Sequence, residues 1–183
     1  MVSNGFNFIE GKWVQGQGEL IESKNPADSS IIWTGNNVSL EQAIYAITVA
    51  KNKQLEWQLF PFEDKVKILK KYEKELRINQ EFLATIISKE IGKPLWESRQ
   101  EVMAMIGKIS ISIDSFLERT PTKSFLKDNI KYELQHRPHG VMLVLGPFNF
   151  PAHLPNGHII PALLAGNTIV FKPSNEAPGT ANF

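Results

Sequence analysis

The hexapeptide Gly146-Pro147-Phe148-Asn149-Phe150-Pro151 is the stretch of this sequence best suited to chemistry. Two prolines stiffen its backbone, and Asn149 stands between two aromatics. An amide donor held in a stiff apolar surround can be aimed at an oxygen that acquires negative charge during a reaction. An asparagine that merely forms a turn has the same local composition, and the residues alone leave the two readings even. A second polar group, Lys172-Pro173-Ser174-Asn175, follows an apolar run. The histidines offer less. His136 and His139 flank Arg137-Pro138, and His153 and His158 are five apart, about 140° around a helix, with no carboxylate cluster to join them. No metal site is expected. The chain has no cysteine, so it holds no thiol nucleophile, disulfide or thiolate-bound metal. Gly16-Gln17-Gly18 begins a dinucleotide-type glycine pattern, but Ile21 takes the third glycine position and no strand-to-helix context surrounds it.

Positioning the two polar groups falls to the elements before them. Gly140 to Phe183 carries only Lys172 and Glu176 as charges, alongside six prolines, a composition suited to an interior. Val141–Leu145 and Thr168–Phe171 read as parallel strands buried on both faces, with a helix over about 155 to 166 between them. A βαβ unit of this kind implies an α/β sheet, and ligands on such sheets bind beyond the carboxyl ends of the strands. Both polar groups lie at those ends.

Upstream, short apolar runs between Gly5 and Gly35 predict a small meander of strands, with a turn at Asn25-Pro26. Ser39 and Gln42 form a capping-box pattern that opens a helix over about 40 to 57. Pro61 suits the first turn of a second helix, whose lysines are interleaved with Glu63, Asp64, Glu73 and Glu75 and read as a solvated face. A third helix covers about 80 to 91 and stops at Gly92. A fourth covers about 95 to 118, with Val102, Ile106, Ile109, Ile113 and Phe116 in one stripe. Such a stripe is ordinarily core; a substrate-lining role for one of its members is the minority reading. Around Asp128-Asn129 the pattern predicts a hairpin, either one edge of a sheet with a wet face or a projecting arm.

A length of 183 residues fits one ordinary domain or a domain with an appendage. At 42% hydrophobic and 21% charged, the composition excludes collagen-like, disordered and coiled-coil classes. A formal charge of +1 provides no general field for nucleic acid or anionic lipid. With no signal-peptide pattern and no membrane-length apolar run, a cytoplasmic location is expected, and the sequon at Asn37-Val38-Ser39 is read as chance.

Leu145–Pro151, Ile160–Ser174, Glu90–Pro94 and Asn25-Pro26 together resemble, in order and spacing, the N-terminal half of NAD(P)-dependent aldehyde dehydrogenases. Arg137–Val141, Ala152–His158 and Met105–Ile113 are most similar to the branch that oxidises N-succinylglutamate 5-semialdehyde in arginine catabolism. The resemblance implies the N-terminal part of that α/β fold: a Rossmann-like parallel sheet with flanking helices, an N-terminal β meander and an oligomerisation hairpin. Residues 1–119 and 140–183 would belong to the cofactor-binding domain and 120–139 to the arm, through which the chain would form a homo-oligomer. Asn149 would stabilise the oxyanion formed when the aldehyde is captured. Gly146, Pro147, Phe148, Lys172, Ser174 and Asn175 would edge the NAD site, with Lys172 on the adenosine ribose. Phe150, His153, Met103 and Ile106 would line the aldehyde tunnel. The family usually has glutamate where Asn175 stands, so NADP is not excluded. The family's nucleophilic cysteine and general base lie downstream of the matched region, so these 183 residues are expected to be inactive alone. The alternative is a non-catalytic module acting through association or weak nucleotide binding.

Overall fold

The computed structural model describes residues 5–183; residues 1–4, the start of the first expected segment, lie outside the described residues. Strands β1 (Phe6–Ile9) and β2 (Lys12–Gln15) form one antiparallel hairpin, and β3 (Leu20–Lys24) and β4 (Ile31–Asn36) form another. The four strands expected as one meander are therefore two separate sheets. Between them the chain crosses the end of β4 instead of pairing alongside it. A Cβ on Gly16 would lie 2.1 Å from the Asn36 carbonyl oxygen, so this crossing admits only glycine. Gly18 N–H donates to Asn37 O at 2.7 Å, and Asn37 N–H donates to Glu19 O at 2.9 Å.

Four helices follow: α1 (Leu40–Leu59), α2 (Phe62–Ile78), α3 (Gln80–Ile91) and α4 (Leu95–Arg119). The capping box at α1 forms as its sequence pattern requires, with Ser39 and Gln42 bonding each other's backbone N–H. Gln42 Nε2 also donates to Gln15 O, which ties the helix to the first hairpin. Helix α3 ends at Gly92, whose φ of 73° is the left-handed conformation of a helix C-terminus. The apolar stripe of α4 packs with Leu69 and Leu76 of α2 and Leu83 and Ile87 of α3 to make the core. On α2 four of the five lysines are exposed, and two of these pair with acids, Lys67 with Asp64 and Lys70 with Glu73. Lys65 departs from that face: it is buried, its ammonium stacks over the Trp57 ring, and desolvation lowers its pKa from the ordinary 10.5.

Strands β5 (Lys123–Lys127) and β6 (Ile130–Leu134) form a hairpin whose ten strand residues are all exposed, so of the two readings the arm is the structure. Asp128 and Asn129 both take positive φ, the backbone a tight two-residue hairpin turn requires. Next come β7 (Val141–Leu145), α5 (His153–Leu164), β8 (Thr168–Lys172) and the short α6 (Pro178–Asn182). The parallel pairing of β7 with β8 confirms the βαβ unit. Burial on both faces is not found. Val144 is buried, whereas Leu143 and Leu145 are 61% and 67% exposed. Helices α1 and α5 both contact the pair, but no third strand or further layer lies beside it among the described residues.

Candidate active site

The end-to-end register of the strand pair places both polar groups at one edge. Leu145 stands opposite Lys172, and the ladder continues past it, with Gly146 N–H donating to Lys172 O at 2.9 Å. A Cβ on Gly146 would meet Phe171 Cε2 at 3.0 Å and Pro173 Cα at 3.3 Å, so the glycine lets the two strand exits run close together. Lys172 Nζ donates to Asn175 Oδ1 at 2.6 Å, and both side chains are exposed. Ser174 Oγ accepts from Glu176 N–H at 3.2 Å, which shapes the turn into α6. The lysine keeps two further N–H donors and the amide keeps its NH₂, a set suited to a vicinal diol such as a ribose.

The other ends of the strands are fixed by a separate network. Asn167 Oδ1 accepts from Gly140 N–H at 3.0 Å, and Thr168 Oγ1 donates to Ala50 O at 2.8 Å. Trp57 Nε1 donates to Leu163 O at 3.0 Å, locking α1 against the end of α5. The strand exits thus project from an anchored base.

Asn149 itself is exposed, and its side chain makes no hydrogen bond to the described residues. Its backbone is held firmly. Lys93 Nζ donates to Asn149 O at 2.8 Å and to Glu101 Oε2 at 2.7 Å, and it lies 4.2 Å from the centroid of the Phe150 ring. Glu101 Oε1 accepts from the N–H groups of Ala152 and His153 at 3.0 and 3.1 Å, where α5 begins. The Lys93 and Glu101 side chains are 8% and 0% exposed. A carboxylate thus stands at the positive end of α5, and its cation reaches over to the loop just before that helix.

A second buried carboxylate does similar work at α6. Glu90 accepts from Ser23 Oγ at 2.5 Å, Gly179 N at 2.8 Å, Thr180 N at 2.6 Å and Thr180 Oγ1 at 2.7 Å. It joins the second hairpin to the chain after β8. Neither Lys93 nor Glu101 is among the expected site residues, although Lys93 lies within the Glu90–Pro94 stretch that carries the family resemblance. A signal was present: Glu101 shares the buried face of α4 with Ser98, Val102, Met105 and Ile109, and an acid on such a face needs donors.

The remaining expected site residues are more scattered. Pro147 and Phe150 are half-buried in the loop, and Phe148 is 59% exposed. His153 is half-buried in the first turn of α5, and its Nδ1 is buried with no hydrogen-bond partner among the described residues. Met103 is exposed on α4. Ile106, expected on a tunnel wall, is 2% exposed and belongs to the core cluster, so the core reading of the α4 stripe holds at this position. Among the described residues, no three His, Asp or Glu side chains gather in a metal-binding group.

Residues 13–183 match the family model described as the aldehyde dehydrogenase family. The chain belongs to that family. It is 45% identical over 175 residues to N-succinylglutamate 5-semialdehyde dehydrogenase of Photorhabdus laumondii subsp. laumondii, covering 96% of this chain and 36% of the relative. Among solved structures, it is similar to the NADP-dependent glyceraldehyde-3-phosphate dehydrogenase of Bacillus halodurans C-125, which was solved with NADP. There the TM-score is 0.91 at 29% identity, over 97% of this chain and 39% of that one. Lactaldehyde dehydrogenase of Escherichia coli gives a TM-score of 0.89 at 30% identity, over 96% of this chain and 37% of that one. The chain therefore spans between a third and two fifths of the length of these relatives. The α/β architecture expected for the N-terminal portion of an aldehyde dehydrogenase is the architecture found, including the parallel βαβ unit with both polar loops at one edge.

Proposed function

We propose that this chain supplies the oxyanion donor and the adenosine-ribose side of the cofactor site of an NAD(P)-dependent aldehyde dehydrogenase that oxidises N-succinylglutamate 5-semialdehyde. The observation that carries the reading is the exposed Asn149 amide on a clamped loop, level with the Lys172–Asn175 pair at the carboxyl edge of the strands. The 45% identity to the succinylglutamate semialdehyde enzyme supports the choice of aldehyde. When a nucleophile adds to the aldehyde carbon, the carbonyl oxygen takes up the charge, and Asn149 Nδ2 donates to it. Phe150 and Phe148 exclude water from that oxygen. His153 Nδ1, which has no hydrogen-bond partner among the described residues, provides a polar contact for a substrate that carries amide and carboxylate groups. Met103, exposed on α4, is assigned to the same aldehyde wall by the family resemblance.

Lys172 and Asn175 fit a ribose by their free donors and acceptors, with Gly146, Pro147 and Ser174 forming the walls around them. NAD, when bound, accepts the hydride that leaves the aldehyde carbon. Asn175 lacks the negative charge that would repel a 2′-phosphate, so NADP is admitted as well. These 183 residues contain no cysteine, so alone they bind without turning over. The exposed arm, with Phe125 and Tyr132 stacked at 5.1 Å, pairs with another copy of the chain. Among the described residues no helix is long and apolar enough to cross a membrane.

The test is a hybrid enzyme in which residues 1–183 precede the remaining portion of the Photorhabdus relative. Aldehyde-dependent reduction of NAD is expected, and Asn149→Ala should lower kcat by about 10²- to 10³-fold, the usual loss of one oxyanion donor. An active hybrid indifferent to Asn149→Ala would overturn the assignment of Asn149. Titration of the 183-residue chain with NAD, beside its sedimentation, tests what the chain does alone: binding without turnover favours a nucleotide-binding module, and aggregation without binding favours an inert fragment.

A further inference from the structure

Lys93 and Glu101 occupy an unusual position in this molecule. Other ion pairs among the described residues, such as Lys53–Glu56, Lys67–Asp64 and Arg99–Glu81, join exposed side chains on helix surfaces. Lys93–Glu101 alone among them is buried on both sides. Burying two charges costs more than their attraction returns unless each finds further partners, so a pair of this kind is weak as a source of stability. Both members do find further partners, and those partners lie in one place. Glu101 takes the N–H groups of Ala152 and His153, and Lys93 takes the carbonyl of Asn149 and the face of Phe150. Four contacts, at Asn149, Phe150, Ala152 and His153, therefore converge on two side chains from a different part of the fold, α4 and the connection that precedes it.

We infer that Lys93 and Glu101 are a positioning pair whose task is to fix the backbone from which the Asn149 amide projects. The inference rests on the role proposed above for Asn149. The Asn149 side chain has no hydrogen-bond partner among the described residues, so its direction is inherited from its backbone. That backbone lies between a strand end and a helix start, where the chain makes no regular ladder. A lysine to the carbonyl of Asn149 and a carboxylate to the next helix's first amides pin the loop on either side. Lys93 is a point charge on a flexible stem, and the Phe150 ring and Glu101 together hold it in one place.

The two members pin different parts of the loop, and this makes the inference testable by NMR on the ¹⁵N-labelled 183-residue chain. Lys93→Met removes the bond to the Asn149 carbonyl but leaves Glu101 to accept from α5. It is expected to make the Asn149 backbone and side-chain amides mobile, read as a fall in their heteronuclear NOE, while Ala152 and His153 stay protected. Glu101→Gln leaves one acceptor oxygen for two sets of donors, so its NH₂ faces either the Lys93 ammonium or the amides of Ala152 and His153, and loss of the charge weakens both contacts. It is expected to mobilise Asn149 and also to speed amide exchange at Ala152 and His153 by at least about tenfold. Lys93→Arg should keep Asn149 rigid. The Asn79 side-chain amide, bonded to Glu75 O at the far end of α2, serves as an unmoved control.

A fall in melting temperature with the Asn149 NOE unchanged would make the pair merely structural and overturn the inference. Should Lys93→Met fail to fold, the wild-type chain decides: an Asn149 NOE equal to that of α4 supports the clamp, and one equal to that of the exposed arm refutes it. In the hybrid enzyme, Lys93→Met should cut kcat by up to about 10²-fold, the effect of an ångström-scale misplacement, and leave KM for NAD unchanged. If Asn149→Ala has no effect there while the NMR result holds, the role of Asn149 fails and the clamp stands. If Asn149→Ala is damaging and the NMR result fails, the reverse is true.

Discussion

The parallel strand pair is the more apolar of the two regions in sequence, yet the helical layer closes on itself and the pair stays open. In the helical layer, Leu83, Ile87, Val102 and Ile109 are at most 1% exposed. In the strand pair, Leu143 and Leu145 are more than half exposed. The difference is geometric. Helices α2, α3 and α4 satisfy their own backbones and need only a neighbouring stripe, which adjacent helices in the chain provide. Two parallel strands leave an unpaired edge on each side and two faces to cover, and the described chain offers only α1 and α5 for that purpose. The apolar run over 141–145 therefore specifies a strand suited to a fuller sheet, and the candidate site lies at its carboxyl end.

The sharpest way to break this contrast is to cut both regions alike. Ile109→Ala should cost about 2–5 kcal/mol in a denaturant titration, because a fully buried side chain leaves a cavity. Leu143→Ser should stay within about 0.5 kcal/mol, since its side chain is already in solvent. Equal effects would mean that the strand pair is covered in solution.

A smaller loss is expected where the two regions are tethered. Glu90→Ala leaves two amides and two hydroxyls at a buried junction without their acceptor, and should lower stability by about 1–3 kcal/mol. Loss of protection at Gly179 and Thr180 in hydrogen exchange would place the damage at α6. On the open edge, Asn175→Glu should weaken NADP about tenfold relative to NAD by placing a carboxylate beside the 2′-phosphate; calorimetry with the two cofactors reads the ratio.

The smallest effect concerns Lys65. Burial lowers its pKa in the folded state, so the unfolded chain binds more protons and stability rises with pH as the ammonium is lost. The penalty is complete below the folded pKa and vanishes above the ordinary 10.5. Lys65→Met should abolish that part of the rise, measured as melting temperature against pH through the alkaline range.

Much of the fold was legible because its signals are local. Ser39 and Gln42 announced α1, Gly92 ended α3, and the Asp128-Asn129 turn set the hairpin. The meander was not legible: glycine-rich spacing is the same whether four strands pair in series or two hairpins cross, and only the close approach at Gly16 distinguishes them. For the site, the strand ends bearing Asn149 and Lys172 followed from the βαβ pattern, and the family match came from motifs. Ile106 was misplaced because an apolar stripe has one spacing whether it faces a core or a ligand.

By itself, then, the sequence determined which segments become helices and strands, where they stop, and which short loops carry polar groups. These depend on contacts within a few residues, and the residues involved are adjacent in the chain. Tertiary structure decided which polar groups meet across long separations. Glu90 reaches Thr180 across 90 positions and Glu101 reaches Ala152 across 51. A buried carboxylate must find donors, but neither its type nor its position says where in the chain they will come from. That choice is made only when α3 and α4 are packed against the starts of α5 and α6.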